Sequence, residues 1–428
     1  MPSSRAWAWA RSSTTYSPAS RCRPRRTAEP AMPTRNGWLL ILLGGVLIAV
    51  GRLLGLWELF IIGFGAMALV VLAAISVGLT RIRVRARRRV SPARVHVGDD
   101  GRVDIALSNA GRRSPILRIR DQVAGTGGVD VTAGPLERGE TTTVAYRLPT
   151  SSRGPLQLGP LTIEISDPFA LASITVAAGS TTEITVLPRV LPVGPVPHTS
   201  GDDPHGGAHM PTASGRSGED FYALRQYTVG DDLRRVHWRS TARHGELMVR
   251  QHEVPWQGRL TVLLDNRTGS HDAETFETAV TVAASVLSAS ARRQDLVRLV
   301  TTDGGDSGFS SGGSHLDALL HFLAVIHPVG RGSLQKTLSS LQRDGSGGVL
   351  LAALGEGAAT EVDTVLRLRN RYGRVFVVSA LRDSASRRES LTLTRPFPTA
   401  TVLSVADRES FLNGWERAVS GRVRVAGR

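Results

Sequence analysis

Two apolar runs separated by two residues dominate the first 80 positions of this 428-residue chain. Gly37 to Leu56 is interrupted only by Arg52, and Leu59 to Leu79 has Ser76 as its one polar member. As helices, runs of this length cover roughly 30 Å, the thickness of bilayer hydrocarbon. Arg52 and Glu58 fall in or beside the short connection, where both reach headgroups or water. The segment 37–80 therefore reads as a transmembrane helical hairpin. The competing reading, a helix pair buried in a soluble core, is disfavoured because two adjacent runs this apolar are uncommon in soluble proteins.

Arginine placement orients the hairpin. Arg5, Arg11, Arg21, Arg23, Arg25, Arg26 and Arg35 precede the first run, Arg52 alone lies between the runs, and seven more arginines fall between Arg81 and Arg94. The positive-inside rule puts both termini and the soluble bulk in the cytosol, with the chain in the plasma membrane as a two-pass protein. A cleaved signal peptide is disfavoured, since no small-residue cleavage site follows the first run and the second run is an anchor. Residues 1–36, rich in Ser, Pro and Arg without hydrophobic period, read as disordered, and Met32 stands where translation could also begin.

The formal charge of +15 would by itself suggest nucleic acid. Most of it, however, lies before residue 96, and the folded bulk is nearly neutral, which argues against a nucleic-acid face. Cys22 is the single cysteine, so no intramolecular disulfide and no cysteine-based zinc or iron–sulfur site can form. The arginines from Arg81 to Arg94 have two readings, a solvated strand edge or attraction to anionic lipid headgroups.

Residues 81–195 read as a β-sandwich of immunoglobulin type. Ile82, Val84 and Ala86 alternate with arginines, and further β-rich runs occur at Val103–Leu107, Ile116–Val123, Thr141–Leu148, Leu161–Ile165 and Thr182–Leu187. Turn signals such as Gly98-Asp99-Asp100-Gly101 and Asp167-Pro168 separate them. Residues 196–218 read as a flexible Gly/Pro/Ser/His linker whose His198, His205 and His209 lack any fixed ligand spacing. From 258 to 428, apolar strands at Leu260–Leu264, Val297–Thr302, Val349–Ala353, Val375–Ser379 and Thr401–Val405 alternate with helical patterns, the signature of a doubly wound α/β domain.

Between linker and sheet, residues 219–257 pack aromatics, paired acids and arginines at a density found nowhere else in the chain. Gly230-Asp231-Asp232 reads as a turn into a helix with an Asp cap, and Arg225, Arg234, Arg239 and Arg243 can pair with Asp231, Asp232 and Glu246 or stack on Trp238 and Tyr227. This segment resembles the bacterial domain of unknown function 58 family. Its signature maps onto Arg225, Tyr227, Gly230, Asp231, Asp232, Arg234, Trp238, Ala242 and Arg243, with Asp167-Pro168-Phe169-Ala170-Leu171 and Leu187-Pro188-Arg189-Val190 as further landmarks.

The resemblance implies a von Willebrand factor A-like C-terminal domain and work beside a MoxR-type AAA+ ATPase in assembly or maturation of envelope complexes. A transglutaminase-like membrane protein is a second associate it implies. Such A domains often hold Mg²⁺ through Asp-x-Ser-x-Ser after the first strand. Here Asp265 is followed by Arg267 and Gly269 at the two serine positions, so a metal site is not expected, and Asp265 remains a ligand only if a degenerate site survives. No cofactor is implied.

Two functions follow. The first is a membrane-tethered adaptor without chemistry of its own. The alternative is a hydrolytic or other enzyme drawing on Asp231, Asp232, His237, His244 and His252. Neither a Ser or Cys nucleophile motif nor a phosphate-binding glycine loop occurs.

Overall fold

The computed structural model describes residues 32–79, 84–197, 221–228, 236–252, 258–344, 347–382 and 400–420. They fall into two compact units, one holding the described residues up to Val190 together with 318–326, the other holding the rest.

In the first unit, helices α1 (Arg35–Leu54) and α2 (Trp57–Leu79) occupy the two apolar runs, and both are long and apolar enough to cross a membrane. Their outward faces are greasy: Leu42 is 68% exposed, Phe64 64% and Leu72 62%. A soluble core helix would bury such side chains. The two helices meet through glycine. Gly37, Gly44 and Gly51, seven apart, are the buried residues of α1; Gly37 faces the Leu171 backbone, while Gly44 and Gly51 face α2, where a methyl group on Gly44 would lie 2.9 Å from the Gly63 carbonyl oxygen. Small residues let helix backbones approach closely where no hydrophobic effect drives association.

Five residues beyond the end of α2 the chain enters a β-sandwich. Its first strand, β1 (Met32–Pro33), precedes the helices; β2 (Val84–Ser91), β3 (Val95–His96), β4 (Arg102–Asn109), β5 (Leu117–Val123), β6 (Val129–Ala133), β7 (Thr141–Arg147), β8 (Gly154–Ser166), β9 (Ala172–Gly179) and β10 (Thr182–Leu187) follow. One sheet holds β2-β4-β7, the other β1-β9-β8-β10-β3 with β5 and β6. Val103, Ile105 and Leu107 of the first sheet and Leu117, Ile119, Leu158 and Ile163 of the second form one core.

Three expectations are corrected here. Disorder through residue 36 stops short, because β1 pairs with Ala172–Ser173 of β9 and α1 already begins at Arg35. Arg88 is neither a solvated edge charge nor free for lipid. It continues the inward row of Val84, Ala86 and Val90, and its guanidinium holds the buried Asp121 (Nη2–Oδ1 2.5 Å, Nε–Oδ2 3.1 Å) and the Leu158 carbonyl (3.0 Å). Tyr146 donates its hydroxyl to the same carboxylate at 2.7 Å, and burial with that bond raises its pKa. Third, residues 191–195 leave the sandwich for the second unit. Leu191, Val193 and Val196 are buried there; Leu191 donates its N–H to Ser285 Oγ (2.9 Å), and the Gly194 carbonyl accepts from Trp415 Nε1 (2.8 Å). The expected linker from residue 198 onward lies outside the described residues.

The second unit opens with a ribbon of β11 (Phe221–Gln226) antiparallel to β12 (Met248–His252), with α3 (Trp238–His244) between them. A parallel sheet with its helices follows in the chain: β13 (Arg259–Leu264), α4 (Ala273–Arg292), β14 (Leu296–Thr301), α5 (Gly313–Val325, counted from residue 318 with the first unit), α6 (Leu334–Asp344), β15 (Val349–Gly355), α7 (Val362–Leu366), β16 (Arg374–Ala380), β17 (Ala400–Val405) and α8 (Arg408–Ser420). Strand order is β14-β13-β15-β16-β17. Numbered by appearance this is 2-1-3-4-5, a doubly wound sheet whose order reverses between β13 and β15. α4 is rich in Ala and Ser and buried nearly all round, so it needs cover on both sides, and the Leu191–Pro197 stretch reaches it through the Ser285 bond.

Candidate functional site

In open α/β sheets, ligands and partners meet the carboxyl ends of the strands where the order reverses. Here that place is built from the β13–α4 loop, the turn after β15 and the end of β16. Asp265, fully buried, follows β13 and donates its N–H to the Ala353 carbonyl (3.0 Å). Its carboxylate receives the Arg267 guanidinium at both oxygens, Nε–Oδ1 2.9 Å and Nη2–Oδ2 2.8 Å, the Arg267 N–H at 3.1 Å and Thr302 Oγ1 at 3.1 Å. The other side of the guanidinium meets Glu361 across 94 residues of sequence, Nη2–Oε2 2.5 Å and Nη1–Oε1 3.3 Å.

Burial pushes the Asp265 pKa up, but the hydrogen bonds from Arg267 and Ser270 and the Arg267 charge outweigh it and hold the group below its ordinary value. The hydrogen bond to Asp265, and then that to Glu361, raises Arg267 in spite of its partial burial. The sequence resemblance raises the question of Mg²⁺, and these donors do not fit it. The Asp265 oxygens are both occupied by a fixed cation, and the positions where hydroxyl ligands would stand are Arg267 and Gly269. An internal guanidinium takes the place of an external ion.

Beside this pair lies a crevice of about 460 Å³ lined by Ser270, His271, Asp272, Thr275, Glu356 and Arg382. Asp272 caps α4 in a reciprocal capping box, accepting the Thr275 N–H at 2.8 Å while Thr275 Oγ1 accepts its own N–H at 3.0 Å. These backbone and hydroxyl bonds, with Arg382 Nε at 2.5 Å, hold Asp272 far below the ordinary carboxylate pKa. His271 sits edge-on to Phe276 (5.5 Å), and burial lowers its pKa, so the ring is neutral at pH 7.

The signature residues occupy the ribbon. Arg225 is in β11, and Tyr227, half-buried, donates its N–H to the Leu247 carbonyl at 2.8 Å. Trp238, Ala242 and Arg243 are on α3 and exposed, Trp238 by 67%. Gly230, Asp231, Asp232 and Arg234 lie outside the described residues. His237 precedes α3 and meets Ser240 Oγ at 2.8 Å, His244 closes the helix, and Gly245 ends it in the left-handed region at φ 75°. Glu246 accepts the Gln226 amide. On α3 the positions 238, 239, 242 and 243 are related by steps of one and four, so Trp238, Arg239, Ala242 and Arg243 share one outward side. The contributions of Glu361, Thr302 and Arg382 to the sheet edge carry no local sequence signal, because each reaches the site from a distant strand end.

Residues 223–391 match the family described as Protein of unknown function DUF58. No curated protein matches the sequence. Among solved structures, the CARDB domain of a Pyrococcus furiosus protein in complex with di-metal ions aligns at 13% identity and TM-score 0.19, over 25% of this chain and 89% of that one. A β-glucosidase from Erythrobacter marinus aligns at 16% identity and TM-score 0.17, over 26% and 16% respectively. Pseudomonas fluorescens alkylpurine DNA glycosylase AlkC bound to DNA aligns at 11% identity and TM-score 0.17, over 36% and 43%. At these scores the structural alignments bear on neither fold nor activity.

Proposed function

We propose that this chain is a membrane-anchored cytosolic adaptor, without catalysis of its own, that presents its signature segment to a MoxR-type AAA+ ATPase working on envelope protein complexes. One observation carries the adaptor reading: the segment that matches the family turns Trp238, Arg239, Ala242 and Arg243 outward on α3. Tryptophan and arginine are among the residues most enriched at binding hot spots, and Trp238 stands two thirds exposed on the same side of α3 as Arg239 and Arg243. The sheet edge supports the same reading, since its strongest charges are spent on one another in the Asp265–Arg267–Glu361 clamp. The doubly wound order and the Asp at the end of the first strand support a von Willebrand factor A-like domain, with its metal position taken over by Arg267. Anchoring is supported by the two exposed apolar helices, and cytosolic placement by the arginines flanking them.

The test is capture of the purified MoxR-type ATPase, trapped with a non-hydrolysable ATP analogue, by the full chain in detergent. Trp238→Ala is expected to weaken capture at least tenfold, about 1.4 kcal/mol or more, while its circular dichroism stays that of the parent. Equal capture by parent and variant, or none by the parent, contradicts the proposal.

A further inference from the structure

We propose that the turn Asp167–Ala172 is a membrane wedge that seats the sandwich on the bilayer and places Phe169 at the boundary between headgroups and acyl chains. The inference rests on the reading that α1 and α2 span a membrane. The turn is stiff. The buried Asp167 carboxylate accepts the N–H groups of Phe169 (2.9 Å), Leu171 (2.7 Å) and Ala172 (2.7 Å), and Ala170 is held in the left-handed region at φ 53°. Non-glycine residues keep that conformation only where their surroundings impose it.

What imposes it is contact with both helices. Leu171 and Ala172 are buried against Val70, Ala73 and Val77 of α2. The Leu171 carbonyl accepts the Thr34 N–H at 2.9 Å, and the Ala170 carbonyl accepts the Thr34 hydroxyl. Gly37 is obligatory there, because a methyl group on it would fall 2.1 Å from the Leu171 oxygen.

Depth follows from helix geometry. Val70, Ala73 and Val77 lie nine, six and two residues before the end of α2 at Leu79, about 13, 9 and 3 Å at 1.5 Å per residue, and Thr34 caps the start of α1, so the turn rests beside the end of the apolar spans. At that level Phe169 turns its ring away from the protein and is 69% exposed. An apolar phenylalanine ring displayed beside the end of a spanning helix is of the kind that interfacial segments bury about 5–10 Å into the headgroup/acyl boundary. The occupant of this surface is therefore lipid, and the sandwich is clamped to the bilayer surface instead of swinging on a tether.

Site-directed spin labelling tests this in full-length protein carrying Cys22→Ser, reconstituted in phosphatidylcholine–phosphatidylglycerol vesicles. Labels are placed singly through Phe169→Cys, through Leu42→Cys in the middle of α1, and through Gly127→Cys. Gly127 follows β5, whose Val123 pairs with Leu158, eight residues up β8 from its end beside Asp167, and its Cβ position is open. The expected result is a ratio of oxygen to aqueous nickel-chelate accessibility at 169 several-fold above that at 127 and in the direction of that at 42. An aqueous ratio at 169 with a lipid ratio at 42 overturns the wedge and leaves the spanning reading intact. Aqueous ratios at both positions overturn both. A label at 169 shielded from both reagents overturns the wedge in favour of a protein partner on this turn.

Discussion

Arg267→Ala should loosen the parallel sheet by about 3 kcal/mol at pH 7, because it strips the paired guanidinium from a fully buried carboxylate. Hydrogen exchange resolves the effect by strand. Amides of β13, which Asp265 follows, and of β15, which carries its backbone partner Ala353, are expected to exchange more than a hundredfold faster, while those of the sandwich strands keep their rates. The loss depends on pH with a definite sign. In the parent, Asp265 titrates below the value of about 3.9 of an unfolded aspartate, so its stabilising contribution is complete at neutral pH and fades only as pH falls below that value. Without the Arg267 guanidinium, burial is opposed only by the bonds from Ser270, Thr302 and the backbone N–H of residue 267, and Asp265 is expected to rise above its unfolded value. The folded variant then takes up a proton more readily than the unfolded one, and the gap between variant and parent narrows as the pH is lowered toward 4. Arg267→Lys is expected to recover only part of the loss, since an ammonium cannot bridge Asp265 and Glu361 with a rigid fork. A loss below 0.5 kcal/mol, on the order of measurement scatter, would refute the clamp.

Asp121→Ala should cost about 3–5 kcal/mol in the sandwich. It leaves the Arg88 guanidinium, with 9% of its side chain exposed, facing only carbonyl and hydroxyl oxygens, and it removes the acceptor of the Tyr146 hydroxyl. Tyr146→Phe removes one hydrogen bond to a charge and is expected to cost less, about 1.5 kcal/mol. The double replacement Arg88→Met with Asp121→Leu separates a pair effect from a packing effect, because exchanging a whole buried ion pair for apolar side chains is close to neutral. Exchange from β2, β4 and β5 reads out all three variants. A double variant as unstable as Asp121→Ala alone would show that shape, not charge, is what the site requires.

Much of the fold was legible in the residues, for reasons that differ by element. The apolar runs became α1 and α2 because nothing but lipid or a core can accept about 20 nearly unbroken apolar side chains. The strands of the α/β domain fall where bounded apolar runs placed them: Leu260–Leu264 within β13, Val375–Ser379 within β16. β9 escaped notice because Ala177, Ala178 and Gly179 blunt its alternation, and β1 because two residues carry no period. Arg88 is more instructive. The period of two that marked Val84 and Ala86 as inward also marks position 88, but a run of arginines reads as surface unless the period is followed through it. At the candidate site, the Asp265–Arg267 contact could be read from two opposite charges at a strand end, whereas Glu361 and Arg382 arrive through tertiary folding alone. The landmark Asp167-Pro168-Phe169-Ala170-Leu171 could be recognised as a motif, but its contact with both helices is invisible until the chain is folded.

A cytosolic ATPase can reach the signature segment only if the folded units lie on the cytosolic side of the membrane. Single cysteines at Leu56, between α1 and α2, and at Gly127 and Glu274, in the sandwich and on α4, can be probed in intact cells with a membrane-impermeant maleimide in the Cys22→Ser background. The expected pattern is labelling of position 56 in intact cells, with 127 and 274 reacting only after lysis. Labelling of 127 or 274 from outside intact cells would contradict the cytosolic adaptor, its ATPase partner and the arginine-based orientation together.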